Sequence, residues 1–276
     1  MDAAALLAAA APRLAAAGID SARLDAELLL ADALGLDRSR LFARLRDAVP
    51  EPAAQRFAAL IERRRRREPL AYLTGGQEFW SLRFAVTPAV LIPRPETELL
   101  VELALALRPR PERILDVGTG SGCIAVALAR ELPAAQLTAV DLSPDALAVA
   151  RQNAAAHGVI ARIGFVHGDV YAALPADADF DLIVSNPPYL APADAASPET
   201  ACEPRAALFA GADGLDVVRR LLAGAVARLR PGGHIMIEIG QGQADAVLAL
   251  ASAAGLRDAR VVPDLAGIPR TLVAAA

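Results

Sequence analysis

Lysine is missing altogether from this 276-residue chain, and asparagine occurs only at positions 153 and 186. With 55% hydrophobic residues and alanine in great excess, the arginine-only basic set reads as genome composition rather than mechanism. Cysteine is scarce too. Cys123 and Cys202 form no CxxC pair, which predicts a reducing compartment, the cytoplasm. Three histidines are scattered at 157, 167 and 234, so no metal-ligand spacing arises and no metal is expected. No apolar run is long and charge-free enough to span a bilayer. The opening "MDAAALLAAAAPRLAAAG" lacks a basic start and is interrupted by Pro12 and Arg13, so it predicts an alanine-rich helix rather than a secretion signal. The net charge of −4 argues against a protein that coats nucleic acid, because phosphate binding needs a basic face. Internal repeats and low-complexity linkers are absent.

What is present falls into two parts. Residues 1–75 predict an all-helical domain. In "SARLDAELLLADALG", Leu24, Leu28 and Leu34 lie near one face, with Ser21 as N-cap and Gly35 as stop. "EPAAQRFAALIERRRRRE" predicts a helix with Phe57, Leu60 and Ile61 on its buried stripe. Its closing run, Arg63 to Arg67, fits either a solvated last turn that complements the helix dipole or a partner-binding patch. Gln77 to Ile92 alternates roughly and predicts a short hairpin joining the two parts, with Trp80 and Phe84 as packing residues.

From Arg94 onward strands and helices alternate. "RILDVG", "QLTAVDL", "RIGFVHGD", "FDLIVSN" and "HIMIEIG" read as strands, and two weaker ones follow in "RDARVVPD" and "PRTLVAA". Helices are expected over "SGCIAVALARELP", over "SPDALAVARQNAAAHG" with Ser143 as N-cap, and over "DGLDVVRRLLAGAVARLRPGG" up to its glycine pair. The alternation predicts an α/β domain, a parallel sheet with helices on both faces. In such a sheet ligands bind at the carboxyl ends of the strands. The first strand ends in "DVGTGSG", and the second ends at Asp141, nineteen residues past Gly122 (141 − 122 = 19). Glycines at 118, 120 and 122 lack the G-x-G-x-x-G spacing of a dinucleotide site. A glycine turn with a strand-end acid for two ribose hydroxyls suits a nucleoside without phosphate, and S-adenosylmethionine fits. Asp169, after the third strand, is a weaker candidate for the adenine amine.

The "FDLIVSN" strand is expected beside the first, and it ends in Asn186-Pro187-Pro188-Tyr189. The prolines stop the ladder and keep the chain stiff. Asn186 O and the Pro187 carbonyl then become two fixed acceptors facing one point, which suits an –NH₂ group, and Tyr189 offers a ring to lie on a flat conjugated group. An Asn-Pro turn is the plain alternative. An amide nitrogen is a poor nucleophile, so such a loop must work by positioning, which can supply roughly 7–11 kcal/mol.

These strings together resemble the bacterial PrmC/HemK family, which methylates the side-chain amide of glutamine in class I peptide-chain release factors. The resemblance covers nearly the whole chain. NPPY alone is shared with methyltransferases of adenine and guanine amines, whereas "VLIPRPETELLVE" before the glycine loop and "EPRAALFAGADGL" after NPPY are far more particular. The resemblance implies a class I, Rossmann-like methyltransferase: a helical N-terminal domain, a hairpin link, and a seven-stranded, mostly parallel sheet with an antiparallel last strand. It implies cofactor contacts from Gly118, Thr119, Gly120, Ser121, Gly122, Asp141 and Asn186, and glutamine held by Asn186, Pro187, Pro188 and Tyr189. It also places Val170 against the cofactor, where some members carry an aromatic beside the adenine, so only the stacking part of that contact is not expected. "PRPETE" serves helix initiation or a wall over the cofactor's methionine end. Glu203 and Arg205 shape the substrate entrance or form loop salt bridges. Residues 1–75 are expected to dock the release factor, and 76–276 to carry catalysis without stable nucleic-acid or membrane binding. The rivals are an amine methyltransferase of DNA or RNA bases, which needs a basic recognition region, and a non-catalytic binding module, which needs no NPPY loop.

Overall fold

A computed structural model describes residues 1–194 and 197–276, and the chain divides into two compact units. The helical unit contains Met1–Gly76 together with residues 197–202. Its helices are α1 (Ala3–Ala15), α2 (Ala22–Leu34), α3 (Arg38–Ala43), α4 (Glu51–Arg65) and α5 (Leu70–Thr74). Phe57, Leu60 and Ile61 of α4 are buried against Leu14, Leu29 and Leu30, as their spacing predicts. The face of α2 differs from the expected one. Leu24 is exposed and Leu28 half-buried, while Asp25, Ala26, Glu27, Leu29 and Leu30 are buried. Arginines cause this by pairing with both acids on the inward side. Arg64 Nε lies 2.7 Å from Asp25, and Arg23 and Arg38 hold Glu27 at 3.1 and 2.7 Å. Ser21 makes no cap; its hydroxyl donates to Asp25 at 2.7 Å. Gly35 closes the helix in the left-handed region, as expected. The arginine run is split: Arg64 turns inward and Arg67 is half-buried, while Arg63, Arg65 and Arg66 stay exposed. Arg64 is buried and also meets Glu199 at 3.1 Å, and Arg67 meets Glu199 at 2.7 Å. Arg63 pairs with Glu68 and Arg65 with Glu62.

The second unit spans residues 77–194 and 203–276 among those described. It opens with a hairpin of β1 (Gly76–Phe79) and β2 (Leu82–Ala85), shorter than the segment that predicts it. Prolines at 88, 93 and 95 break the pattern beyond β2. Trp80 and Ser81 form the turn with φ of 52° and 56°, the left-handed pair that a tight two-residue hairpin demands. Neither is glycine, and Trp80 is tied down by its backbone N–H on Glu98 (2.7 Å) and its indole N–H on Glu131 (3.0 Å). Phe84 is fully buried edge-on to Phe79.

After α6 (Glu98–Ala106) come β3 (Arg113–Val117), α7 (Cys123–Glu131), β4 (Gln136–Asp141), α8 (Pro144–Ala156), β5 (Ile163–His167) and β6 (Phe180–Ser185). They are followed by α9 (Asp216–Ala225), β7 (Leu229–Glu238), α10 (Ala244–Ala253), β8 (Arg257–Pro263) and β9 (Pro269–Ala275). The seven-stranded sheet runs β5-β4-β3-β6-β7-β9-β8, with β9 antiparallel to both neighbours and inserted inside the edge strand β8. Alternate residues feed opposite cores: Ile114, Leu182 and Met236 one face, Leu115, Ile183 and Ile235 the other. Ser143 caps α8 through Ala146 N–H, as expected. Helix α9 stops well short of the glycine pair, and β7 begins at Leu229. Arg230 pairs with Asp179 and Asp181, and Phe180 N–H donates to Arg228 O at 2.9 Å, which draws this segment onto the end of β6. Among the described residues no helix is long and apolar enough to cross a membrane.

Candidate functional site

Strand order reverses at β3, whose neighbours are β4 and β6, so the crevice opens at the carboxyl ends of these three strands. A cavity of about 400 Å³ lies there. The glycine turn leaves β3 with Gly118 and Thr119 N–H both donating to Val140 O, at 2.8 and 3.1 Å. Gly118 and Gly120 have φ of 73° and 54°, and Gly118 has open space where a side chain would begin. That is a cradle for a close-lying ligand. Asp141 closes it from β4, with one oxygen accepting Gly120 N–H at 2.8 Å and the other Ser143 N–H at 2.9 Å. Two backbone donors fix the carboxylate, and each oxygen keeps a lone pair able to accept a further hydrogen bond.

Asn186 sits at the same mouth, held because Ser185 Oγ donates to Val117 O at 2.7 Å across β6 and β3. Its side-chain Nδ2 donates to Thr97 Oγ1 at 3.0 Å, and Thr97 Oγ1 donates to Glu238 Oε2 at 2.7 Å. Its Oδ1 is buried and has no partner among the described residues, a costly state that a ligand's donor relieves. Behind the loop, Gln243 brackets Tyr189. Its Nε2 donates to Tyr189 O at 3.0 Å and its Oε1 accepts Gly240 N–H at 2.8 Å. Gly214 is required here, since a side chain would begin 2.1 Å from Tyr189 O. Burial pushes the Tyr189 hydroxyl up to about 12, and Glu238 adds to the shift.

Residues 5–75 match the PrmC N-terminal domain and residues 95–202 the methyltransferase small domain. The chain is 50% identical to the release factor glutamine methyltransferase of Cereibacter sphaeroides, over 99% of this chain and 98% of that one. The chain belongs to the release factor glutamine methyltransferase family. Its counterpart of the same description in Geobacter sulfurreducens is 47% identical over 94% and 91% of the two chains. Among solved structures, the Thermus thermophilus 16S rRNA N2 G1207 methyltransferase RsmC, in complex with AdoMet and guanosine, is 25% identical with a TM-score of 0.54. That match covers 72% of this chain and 49% of RsmC. The hMettl16 catalytic domain, in complex with the MAT2A 3'UTR hairpin 6, is 18% identical with a TM-score of 0.56 over 82% and 81%, and shows the shared fold.

Within this glutamine methyltransferase fold, Gly118, Thr119, Gly120, Ser121, Asp141 and Asn186 all line the cavity, as do Asp169, Val170 and Pro188. Gly122, Pro187 and Tyr189 are not among the lining residues. Gly122 packs against Ala150, 3.0 Å from where its side chain would begin. Asp169 shares one oxygen with Arg220 at 2.7 Å. Val170 is buried at φ 53°, an uncommon conformation for a β-branched residue, which points to a constrained wall. Glu203 is a buried clamp, accepting Ile92 N–H at 3.0 Å and pairing with Arg94, and Arg205 lies over the Phe209 ring. Both therefore make loop interactions. The sequence reading passes over Thr97, Glu238 and Gln243. It also misses the second asparagine: buried Asn153 donates to Ser121 O and Ala85 O and accepts Ala85 N–H, tying the glycine turn to β2.

Asp116, under the glycine turn, is fully buried with one oxygen accepting from Thr119 Oγ1. Burial pushes its carboxyl up to about 7; Thr119's hydrogen bond opposes this and Asp141's charge adds to it. Between its ordinary value of 3.8 and about 7, the folded chain binds this proton more tightly than the unfolded one. Stability therefore falls as pH rises through that window. Asp116→Asn is expected to melt higher than the parent at about pH 8, by an increment that vanishes toward about pH 4. Melting curves across pH check this, and a pH-independent difference would contradict it.

Proposed function

We propose that this protein transfers a methyl group from S-adenosylmethionine to the side-chain amide nitrogen of the glutamine in the Gly-Gly-Gln loop of class I peptide-chain release factors. The buried, unpartnered Oδ1 of Asn186 carries the reading. It sits at a strand end beside a cradle and carboxylate suited to a nucleoside, and it asks for an N–H donor. Family membership supplies the release factor as substrate. When bound, S-adenosylmethionine would supply a sulfonium methyl to an attacking nitrogen, with the C–S electron pair left on sulfur. Gly118 to Ser121 and Asp141 hold the nucleoside end. Asn186 Oδ1 orients the acceptor amide, and its hydrogen bond strengthens as positive charge builds on nitrogen. The proton then leaves to water, so no side chain need act as base. The helical unit is the docking surface for the release factor. A protein partner suits the net charge of −4, and neither nucleic acid nor membrane is a stable partner.

Purified protein is incubated with S-adenosylmethionine and a release factor, and the tryptic peptide is sequenced by fragmentation mass spectrometry. One added methyl is expected on the Gly-Gly-Gln glutamine and none on a Gln→Ala factor or on duplex DNA. A methyl on DNA, or on another residue, would replace this reading with the base-methylating one.

A further inference from the structure

Behind Asn186 runs a buried polar chain whose direction is set at its far end. Thr97 and Glu238 are 2% and 1% exposed. An ionised carboxylate only accepts hydrogen bonds, so the single Thr97 proton goes to Glu238. The Thr97 oxygen then has only lone pairs to offer, and Asn186 must turn its –NH₂ toward it. The Asn186 carbonyl oxygen is thereby left facing away from Thr97, buried and free. We propose that Thr97 and Glu238 are positioning residues that lock the orientation of the Asn186 amide and so make the site select an –NH₂ acceptor group. This inference rests on the glutamine-amide reading above.

A carboxamide is nearly symmetric in shape, and its two ends differ only in donating or accepting. Asn186 turned by half a rotation would set N–H groups against the N–H groups of the incoming glutamine. Such donor-to-donor contact rejects the substrate as effectively as a clash. An acceptor-only residue two hydrogen bonds away prevents that rotation. Charged groups around Glu238 matter for its ionisation. Arg270 and Arg94 favour the carboxylate and Glu96 opposes it, while the Tyr189 hydroxyl and the Cys123 thiol feel its charge. Burial is the largest influence and pushes Glu238 up to about 7. The lock is therefore set above that pH and loosens below it, where a protonated carboxyl donates as well as accepts.

The test is steady-state kinetics of the full chain with S-adenosylmethionine and a purified release factor, across about pH 6–9. Thr97→Val keeps the shape and removes the hydroxyl; kcat should fall about 100-fold while KM for the release factor and the cofactor dissociation constant stay within about threefold. Thr97→Ser should recover kcat to within about fivefold of the parent. Glu238→Gln permits both orientations, so kcat should fall about tenfold above neutral pH and the parent's inflection near 7 should vanish. The lock is overturned if Thr97→Val keeps kcat within about twofold, or loses cofactor affinity in parallel. It is equally overturned if Thr97→Ser is as impaired as Thr97→Val, or if Glu238→Gln keeps the inflection. A parent protein that leaves the glutamine unmethylated would instead remove the reading beneath it, and the lock with it.

Discussion

Asn186→Ala should cut kcat by roughly 10²–10³ while changing cofactor affinity only a few-fold. The side chain contributes its one unpartnered buried oxygen at the point where the acceptor nitrogen must be aimed. Removing it deletes a hydrogen bond that tightens in the transition state, so the loss falls on turnover rather than on binding. The structure adds a reason for the fold to survive: Thr97, relieved of Asn186, still donates to Glu238. Calorimetric titration with S-adenosylmethionine and initial rates on the same preparation separate the two quantities. Transfer within a few-fold of the parent would strip Asn186 of the acceptor-orienting role.

The second large effect is expected at Asp141. Asp141→Ala should weaken S-adenosylmethionine binding by roughly 10- to 150-fold, the equivalent of about 1.5–3 kcal/mol for hydrogen bonds to a charged group. The carboxylate is preorganised by Gly120 and Ser143 N–H, so it pays little ordering entropy when the hydroxyls arrive. Its loss also frees the Gly120 amide and slackens the cradle, which pushes the effect toward the upper end. Calorimetry on a folded variant reads this directly, and an unchanged dissociation constant would place the ribose elsewhere.

The features legible in the sequence are those written in contiguous strings. The glycine turn, Asp141 and Asn186 each sit at a strand end, where a short apolar run buried on both faces of the sheet gives way to polar and turn residues. Thr97 and Glu238 escape because their partners lie far along the chain. Asn186 is 89 residues from Thr97, and Thr97 is 141 from Glu238. Each also has a sufficient local explanation: Thr97 stands in a helix start, Glu238 at the last position of a strand. The buried face of α2 departs from its leucine spacing for a related reason. Spacing counts apolar residues, but Asp25 and Glu27 turn inward because arginines from elsewhere neutralise them. Gly122 reads as part of a ligand loop, yet its neighbour is Ala150 of α8, which only the folded chain reveals.

The helical unit is not one stretch of chain. Residues 197–202, which follow the Asn186 loop, belong to it, and Glu199 is held there by Arg64 and Arg67. A single cut cannot excise it. A chain beginning at residue 77 would keep Glu199 and lose both arginines, leaving an orphaned carboxylate close in sequence to the substrate loop. Exchange between relatives is restricted in the same way. A crossover at the first junction would graft one lineage's arginines onto another's Glu199 segment. The arginines at the end of α4 and the segment beyond Tyr189 are therefore tied through one carboxylate, and a change of charge at either must be answered at the other.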